Sequence, residues 1–179
     1  MSGMLQVGID IGSTTIKTVV LNAQGRICHK QYARHFSDIE GAFRRELEGL
    51  WPVLGDKAFS LALTGSAGMG IAERLGLSFV QEVMACVAAV RRFLPEAETV
   101  IELGGEDAKI TWLGRAMEQR MNGVCAGGTG AFIDHMASLL GTDAAGLDRM
   151  AAAFSNLHPI ASRCGVFAKT DVQLSLIHI

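Results

Sequence analysis

Apolar and polar positions follow the same order in two fifteen-residue blocks. Val7–Leu21, VGIDIGSTTIKTVVL, and Thr99–Leu113, TVIELGGEDAKITWL, each begin with an apolar strand that meets an acid, Asp10 or Glu102. One apolar residue, a glycine (Gly12, Gly104), a polar tip and a second strand through a lysine (Lys17, Lys109) complete each block. Strand, tight turn and strand predict a hairpin. After the first copy, Asn22-Ala23-Gln24-Gly25 reads as a turn and Arg26–Ala33 as a third strand. Ser37 with Glu40 three residues on reads as a capping box, and Ile39, Phe43, Leu47 and Leu50 at helical spacing predict an amphipathic helix over 38–51. Phe59–Leu63 predicts a short strand, and Thr64-Gly65-Ser66-Ala67-Gly68 a small-residue loop leading into a helix around Met69–Leu75. Glu82–Phe93 predicts a helix apolar on most faces and therefore well buried.

Pro95 and the charged stretch Glu96–Glu98 mark the expected junction, so a first half-domain spans 1–95. A second half-domain spans 96–173, and residues 174–179 form a tail. Beyond the second hairpin, Phe132, Met136, Leu139 and Leu140 share one helical face, and Phe167-Ala168-Lys169-Thr170-Asp171 reads as another helix beginning. Cys125 and Cys164 precede these two helices. Unpaired N–H groups and the macrodipole at a helix N-terminus favour an anion, and so favour the thiolate that metals bind.

The 179 residues are 49% hydrophobic and 19% charged, which suits a soluble globular chain with a real core. A net charge of −2, with no basic stripe and no polybasic segment, gives no sign of nucleic acid or anionic lipid as a partner. No run reaches the roughly 18 apolar residues of a membrane span, and no signal-peptide pattern precedes the first strand. A cytoplasmic protein is expected. Its four cysteines then read as thiols or metal ligands rather than a disulfide frame. The 21 glycines, well above the usual share of about 7%, point to tight turns or close backbone approaches.

The glycine hairpins suggest the first chemistry. A glycine turn lets a phosphate oxygen approach backbone N–H groups, and an acid at each turn mouth suits a hydrated Mg²⁺ that bridges phosphates. Two such hairpins could hold a polyphosphate, although a single glycine turn between β-branched strands is more often plain sheet architecture. Neither copy is a Walker loop or a dinucleotide fingerprint. Cys125 and Cys164 supply half of a four-thiolate set, so a shared cluster needs a second copy and a twofold axis. Zinc shared between subunits, or two small buried thiols, are the other readings. Cys28 in a strand and Cys86 on a helix read as core thiols. His29, His35, His135, His158 and His178 lack paired metal spacing and read as surface or satisfied polar residues.

The element order resembles the superfamily of actin, hexokinase and the Hsp70 chaperones, a duplicated α/β nucleotide-binding fold of the ribonuclease H-like kind. That resemblance implies Gly12, Ser13, Thr14 and Thr15 as the first phosphate loop, with Lys17 nearby, and Gly104 and Gly105 through Asp107 as the second. It makes Asp10 the acid that holds Mg²⁺ through water. More specifically, DIGSTTIK, IELGGEDAK, MNGVCAGGTGAFID and ASRCGVFAKTDVQ resemble the ATP-dependent activators of 2-hydroxyacyl-CoA dehydratases, grouped with the benzoyl-CoA reductase ATPase subunits (BadF/BadG/BcrA/BcrD). The Glu-Leu-Gly-Gly-Glu-Asp wording is most similar to the N-terminal module of large fused activase-related proteins.

The family resemblance implies ATP hydrolysis coupled to electron transfer from one four-iron four-sulfur cluster at a homodimer interface. Cys125 and Cys164 would be the ligands, with Gly127, Gly128 and Thr129 at the nucleotide. It also implies a partner acyl-CoA dehydratase or reductase, fused in longer chains, and a donor such as ferredoxin or flavodoxin. Two departures stand out. Simple activators carry Asp, Gly, Gly, Gln, Asp at the second loop, where this chain has Glu102, Gly104, Gly105, Glu106 and Asp107. Glu102 still reaches a hydrated Mg²⁺, whereas Glu106 either repels a γ-phosphate or orients the attacking water. Residues 174–179 do not resemble the family, which predicts a truncated second half with an incomplete adenosine pocket. A small-molecule kinase without a cluster and a non-catalytic interaction fragment remain alternatives.

Overall fold

The computed structural model describes residues 3–114, 116–122, 125 and 127–177. His178 and Ile179 of the expected tail, and Gly123, Val124 and Ala126 of the first cysteine motif, lie outside the described residues. The chain divides into two compact units, Met1–Ala97 and Glu98–Ile179.

In the first unit β1 (Leu5–Ile11), β2 (Thr15–Leu21) and β3 (Ile27–Arg34) form an antiparallel meander. β4 (Phe59–Thr64) pairs parallel with β1 and β5 (Ser78–Phe79) parallel with β4, giving the order β3-β2-β1-β4-β5. Strand alternation sends Leu5, Val7, Ile9 and Ile11 of β1 to one face, where they join Ile16 and Val20 of β2. α1 (Ile39–Leu54) covers that core with Ala42, Phe43, Leu50 and Leu54. Each fully buried Ile or Leu contributes on the order of 1.5–3 kcal/mol. α2 (Gly68–Leu75) adds Ile71 and Ala72.

Three expectations are corrected in this unit. The cap of α1 is Asp38, whose carboxylate accepts from Gly41 N–H at 3.1 Å, rather than Ser37. Ser37 sits at φ 66, a left-handed conformation that faces its amide toward His35 instead. α3 (Glu82–Phe93) buries only Val87, while Met84 and Phe93 are exposed. Its apolar residues are mostly small and spread round the axis, whereas one stripe suffices to pack a helix on a surface. Cys28, expected in the core, is exposed on β3, and Cys86 is half-buried.

The second unit holds β6 (Thr99–Leu103), β7 (Ala108–Trp112) and β8 (Glu118–Asn122) as an antiparallel sheet. α4 (Gly130–Leu139), α5 (Ala144–Ala152) and α6 (Gly165–Ile177) follow. β5, β8 and α5 gave no periodic signal in the sequence. β5 is two residues long, β8 is the polar EQRMN, and α5 is alanine-rich, capped by Asp143 on Gly146 N–H at 2.7 Å. The duplication is kept in register: Asp10 pairs across its hairpin with Lys17, as Glu102 does with Lys109.

Candidate functional site

The first glycine loop closes at the end of β1. Gly12 N–H donates to the Thr15 carbonyl at 2.9 Å, leaving Ser13 exposed at the tip. Asp10 lies just inside, and its Oδ2 accepts from Lys17 Nζ at 2.8 Å. Lys17 is thus spent on its own hairpin's acid. Asp10 Oδ1 is buried and has no partner. The parallel pairing of β1 with β4 puts Thr64 beside Asp10, and Thr64 Oγ1 is buried without a partner as well. Gly65 follows at φ 90, where an added Cβ would collide with the Ile11 carbonyl and Asp10 Oδ1. An unpartnered carboxylate oxygen and an orphan hydroxyl on neighbouring strands, beside a side-chain-free residue, suit a hydrated cation, because buried acceptors are costly unless something donates to them.

Sequence reading missed Thr64 and Gly65 as parts of this site, treating them as a loop that leads into a helix. It also set aside His35, which is buried and bonded to the Gly12 carbonyl through Nε2 at 3.1 Å. Strand pairing, not spacing, brings these residues to the loop.

The second glycine loop is built differently. Glu102 is half-buried, and Lys109, almost fully buried, pairs with Asp107 at 3.1 Å. An added Cβ on Gly104 would collide with Asp107 Oδ1, so a side chain there would displace the carboxylate that pairs with Lys109. Glu106 is exposed at the tip. The carbonyls of Gly104 and Gly105 accept from Gly130 N–H at 2.7 Å and Ala131 N–H at 2.9 Å, the first amides of α4. Helix-terminal donors that could have met an anion are thus bonded to loop 2. Thr129 is fully buried as the N-cap of α4, its hydroxyl accepting from Phe132 N–H at 3.5 Å. Gly128 is exposed at φ 84. Loops 1 and 2 belong to different units.

The cysteine segments meet inside the second unit. An added Cβ on Gly127 would stand 3.1 Å from Gly165 N, so the backbone after Cys125 lies against the backbone after Cys164. Gly127 N–H also donates to Cys125 Sγ at 3.4 Å, and the Cys164 carbonyl accepts from Ala168 N–H at 2.9 Å as α6 begins. Cys125 is exposed and Cys164 half-buried. One amide donor at a sulfur and a close glycine approach fit a thiolate-held cluster. Among the described residues no group of three or more His, Cys, Asp or Glu could hold a metal.

Comparison with known proteins follows the same outline. The model of the BadF/BadG/BcrA/BcrD ATPase family matches residues 7–176. A relative from Clostridioides difficile, 2-hydroxyisocaproyl-CoA dehydratase activator, is 30% identical over 174 residues, covering 94% of this chain and 65% of its own. The crystal structure of the Acidaminococcus fermentans (R)-2-hydroxyglutaryl-CoA dehydratase component A overlays with a TM-score of 0.85 at 28% identity, covering 98% of this chain and 69% of that one. The Clostridium difficile activator of 2-hydroxyisocaproyl-CoA dehydratase, solved with bound ADPNP, gives 0.83 at 31% identity, covering 98% and 66%. This chain therefore spans about two thirds of the length of these relatives. The fold is the actin-like α/β fold of nucleotide-binding proteins.

Proposed function

Because the chain belongs to the BadF/BadG/BcrA/BcrD ATPase family, we propose that it binds Mg-ATP through its glycine loops and uses hydrolysis to activate a partner acyl-CoA dehydratase or reductase. The observation that carries this reading is the backbone link inside the second unit. Loop 2 is bonded through Gly104 and Gly105 to the start of α4, directly after the Cys125 segment, and Gly127 of that segment abuts Gly165 beside Cys164. Backbone hydrogen bonds and glycine contacts have little slack, so a phosphate that shifts loop 2 shifts both cysteine segments. That is the form a nucleotide switch needs, a local contact that biases a second site.

Asp10 would hold the cation through water with its unpartnered Oδ1, and Thr64 lies beside it. Gly12, Ser13, Thr14 and Thr15 would meet phosphate oxygens, as would Gly104, Gly105 and Asp107 in the second copy. Glu102 stands where Asp10 stands in the first hairpin, and Glu106, exposed at the loop tip, would orient the attacking water. Gly127, Gly128 and the capping Thr129 would fix the segment between nucleotide and thiols. A four-iron four-sulfur cluster held by Cys125 and Cys164 from two copies would supply low-potential one-electron reduction. An electron donor such as ferredoxin or flavodoxin completes the proposal.

Anaerobic reconstitution with iron and sulfide tests it. The expected product is a dimer with about two irons per chain, since two copies share one cluster. Changing either Cys125 or Cys164 to Ser should abolish it. A chain that takes up no iron, or a cluster indifferent to both substitutions, refutes the redox reading. Turnover that rises with a small hydroxylated substrate and ignores iron would favour a kinase instead. Absence of Mg-ATP binding by calorimetry would rule out any switch.

A further inference from the structure

His35 lies just past β3 and is 2% exposed. Its ring makes two bonds of opposite sense. Ser37 N–H donates to Nδ1 at 3.1 Å, so the ring hydrogen belongs on Nε2, which then donates to the Gly12 carbonyl at 3.1 Å. His35 N–H also donates to the Thr14 carbonyl at 3.3 Å. One residue therefore holds the carbonyls on both sides of Ser13. In a trans peptide the C=O and the next N–H point in opposite directions, and no cis peptide bond is present among the described residues. Aiming the Gly12 carbonyl at His35 turns the Ser13 N–H away from it.

The backbone after His35 is strained in a way that serves this arrangement. Phe36 and Ser37 are consecutive non-glycine residues at φ 48 and φ 66. Phe36 is 84% exposed, so burial of its ring offsets none of that strain. The turn is closed by Ser37 N–H on His35 Nδ1 and by Asp38 N–H on the His35 carbonyl at 2.8 Å. Strained backbone persists where its surroundings over-determine it, and such places gather at ligand sites.

We infer that His35 is a positioning residue of the first phosphate loop. In its Nε2–H tautomer it fixes the Gly12–Ser13 peptide so that the Ser13 N–H is presented to a nucleotide phosphate oxygen. The inference rests on the nucleotide reading of loop 1, and His35 acts through Gly12 without touching the ligand.

Two substitutions separate its bonds. Asn places an acceptor near the Nδ1 position and keeps the Ser37 bond, but is too short to reach Gly12. Gln carries an amide nitrogen out to the Nε2 position and keeps the Gly12 bond. Titration calorimetry with Mg-ATP should show H35Q within about threefold of the unaltered chain and H35N weakened about tenfold or more. A purely structural role would lower the melting temperature of both variants and leave their Kd values equal. H35N binding Mg-ATP as tightly as the unaltered chain overturns the inference. An unaltered chain that binds no Mg-ATP is a different result, which removes the nucleotide reading and this inference with it. Nitrogen NMR of the unaltered chain adds a check that no folding defect can obscure: His35 should be the Nε2–H tautomer, and the Nδ1–H tautomer would overturn the assignment.

Discussion

At Gly65 a single hydrogen stands where any other residue would bring a carbon into the Ile11 carbonyl and the Asp10 carboxylate. The φ of 90 adds a second objection to a side chain. Gly65→Ala should therefore cost about 1–3 kcal/mol of stability, read as a lower urea midpoint, and an unchanged midpoint would mean the close approach is not real. Asp10 itself is different. Its ion pair with Lys17 is part-exposed, at 29% for Asp10 and 40% for Lys17, so Lys17→Ala should change stability by less than about 1 kcal/mol. Asp10→Asn should instead weaken Mg-ATP binding by about tenfold or more, since it removes the charge that a hydrated cation needs. Equal affinity for Mg-ATP in both proteins would show that Asp10 is only a strand-end charge.

Between elements, one polar contact ties α1 to the sheet. Thr18 on β2 is fully buried and its hydroxyl donates to Glu46 Oε2 at 2.6 Å, with Glu46 also buried. Thr18→Val leaves that carboxylate buried beside a methyl group, at an expected cost of about 1–3 kcal/mol. The double change Thr18→Val with Glu46→Leu should recover part of the loss, because replacing both partners by apolar groups removes the unmet acceptor. Equilibrium unfolding of the three proteins checks the order, and a double variant weaker than T18V would contradict it. At α4 the corresponding device is Thr129, whose loss to Ala should cost about 1 kcal/mol.

Over the whole molecule, burial is unequal between the two units. The core cluster of Leu5, Val7, Ile9, Ile11, Ile16, Val20, Leu50, Leu54 and Leu63 lies in the first. Among the described residues, the buried apolar side chains of the second are Met136, Ala137 and Ala168, while Ile101 and Leu103 on β6 are 69% and 56% exposed. Local stability follows buried apolar contact, so amides of β6 and β7 should exchange with solvent faster than those of β1 and β2. Peptide-resolved hydrogen exchange would show it, and equal protection in both sheets would contradict it. No helix among the described residues is long and apolar enough to cross a membrane.

The sequence by itself determined both hairpins, the amphipathic α1 and the cysteines' placement ahead of α4 and α6, because those signals are local. Turn chemistry, helical spacing and a repeated motif need only neighbouring residues. It was silent or wrong where the partner is distant. The cap of α1 is a separate case, since Ser37 and Asp38 are adjacent cap-forming residues and the left-handed backbone at Ser37 leaves the cap to Asp38; nothing in α3 says how little of it is covered, and EQRMN carries no alternation to announce β8. The site divides the same way. Asp10, Gly12 and the paired lysines are readable from the motif, whereas His35, Thr64 and Gly65 join them only through strand pairing, and Gly104 meets Gly130 only in the folded unit. Pairing register and close backbone approach are properties of chain segments far apart in sequence, which is why only the tertiary structure decided them.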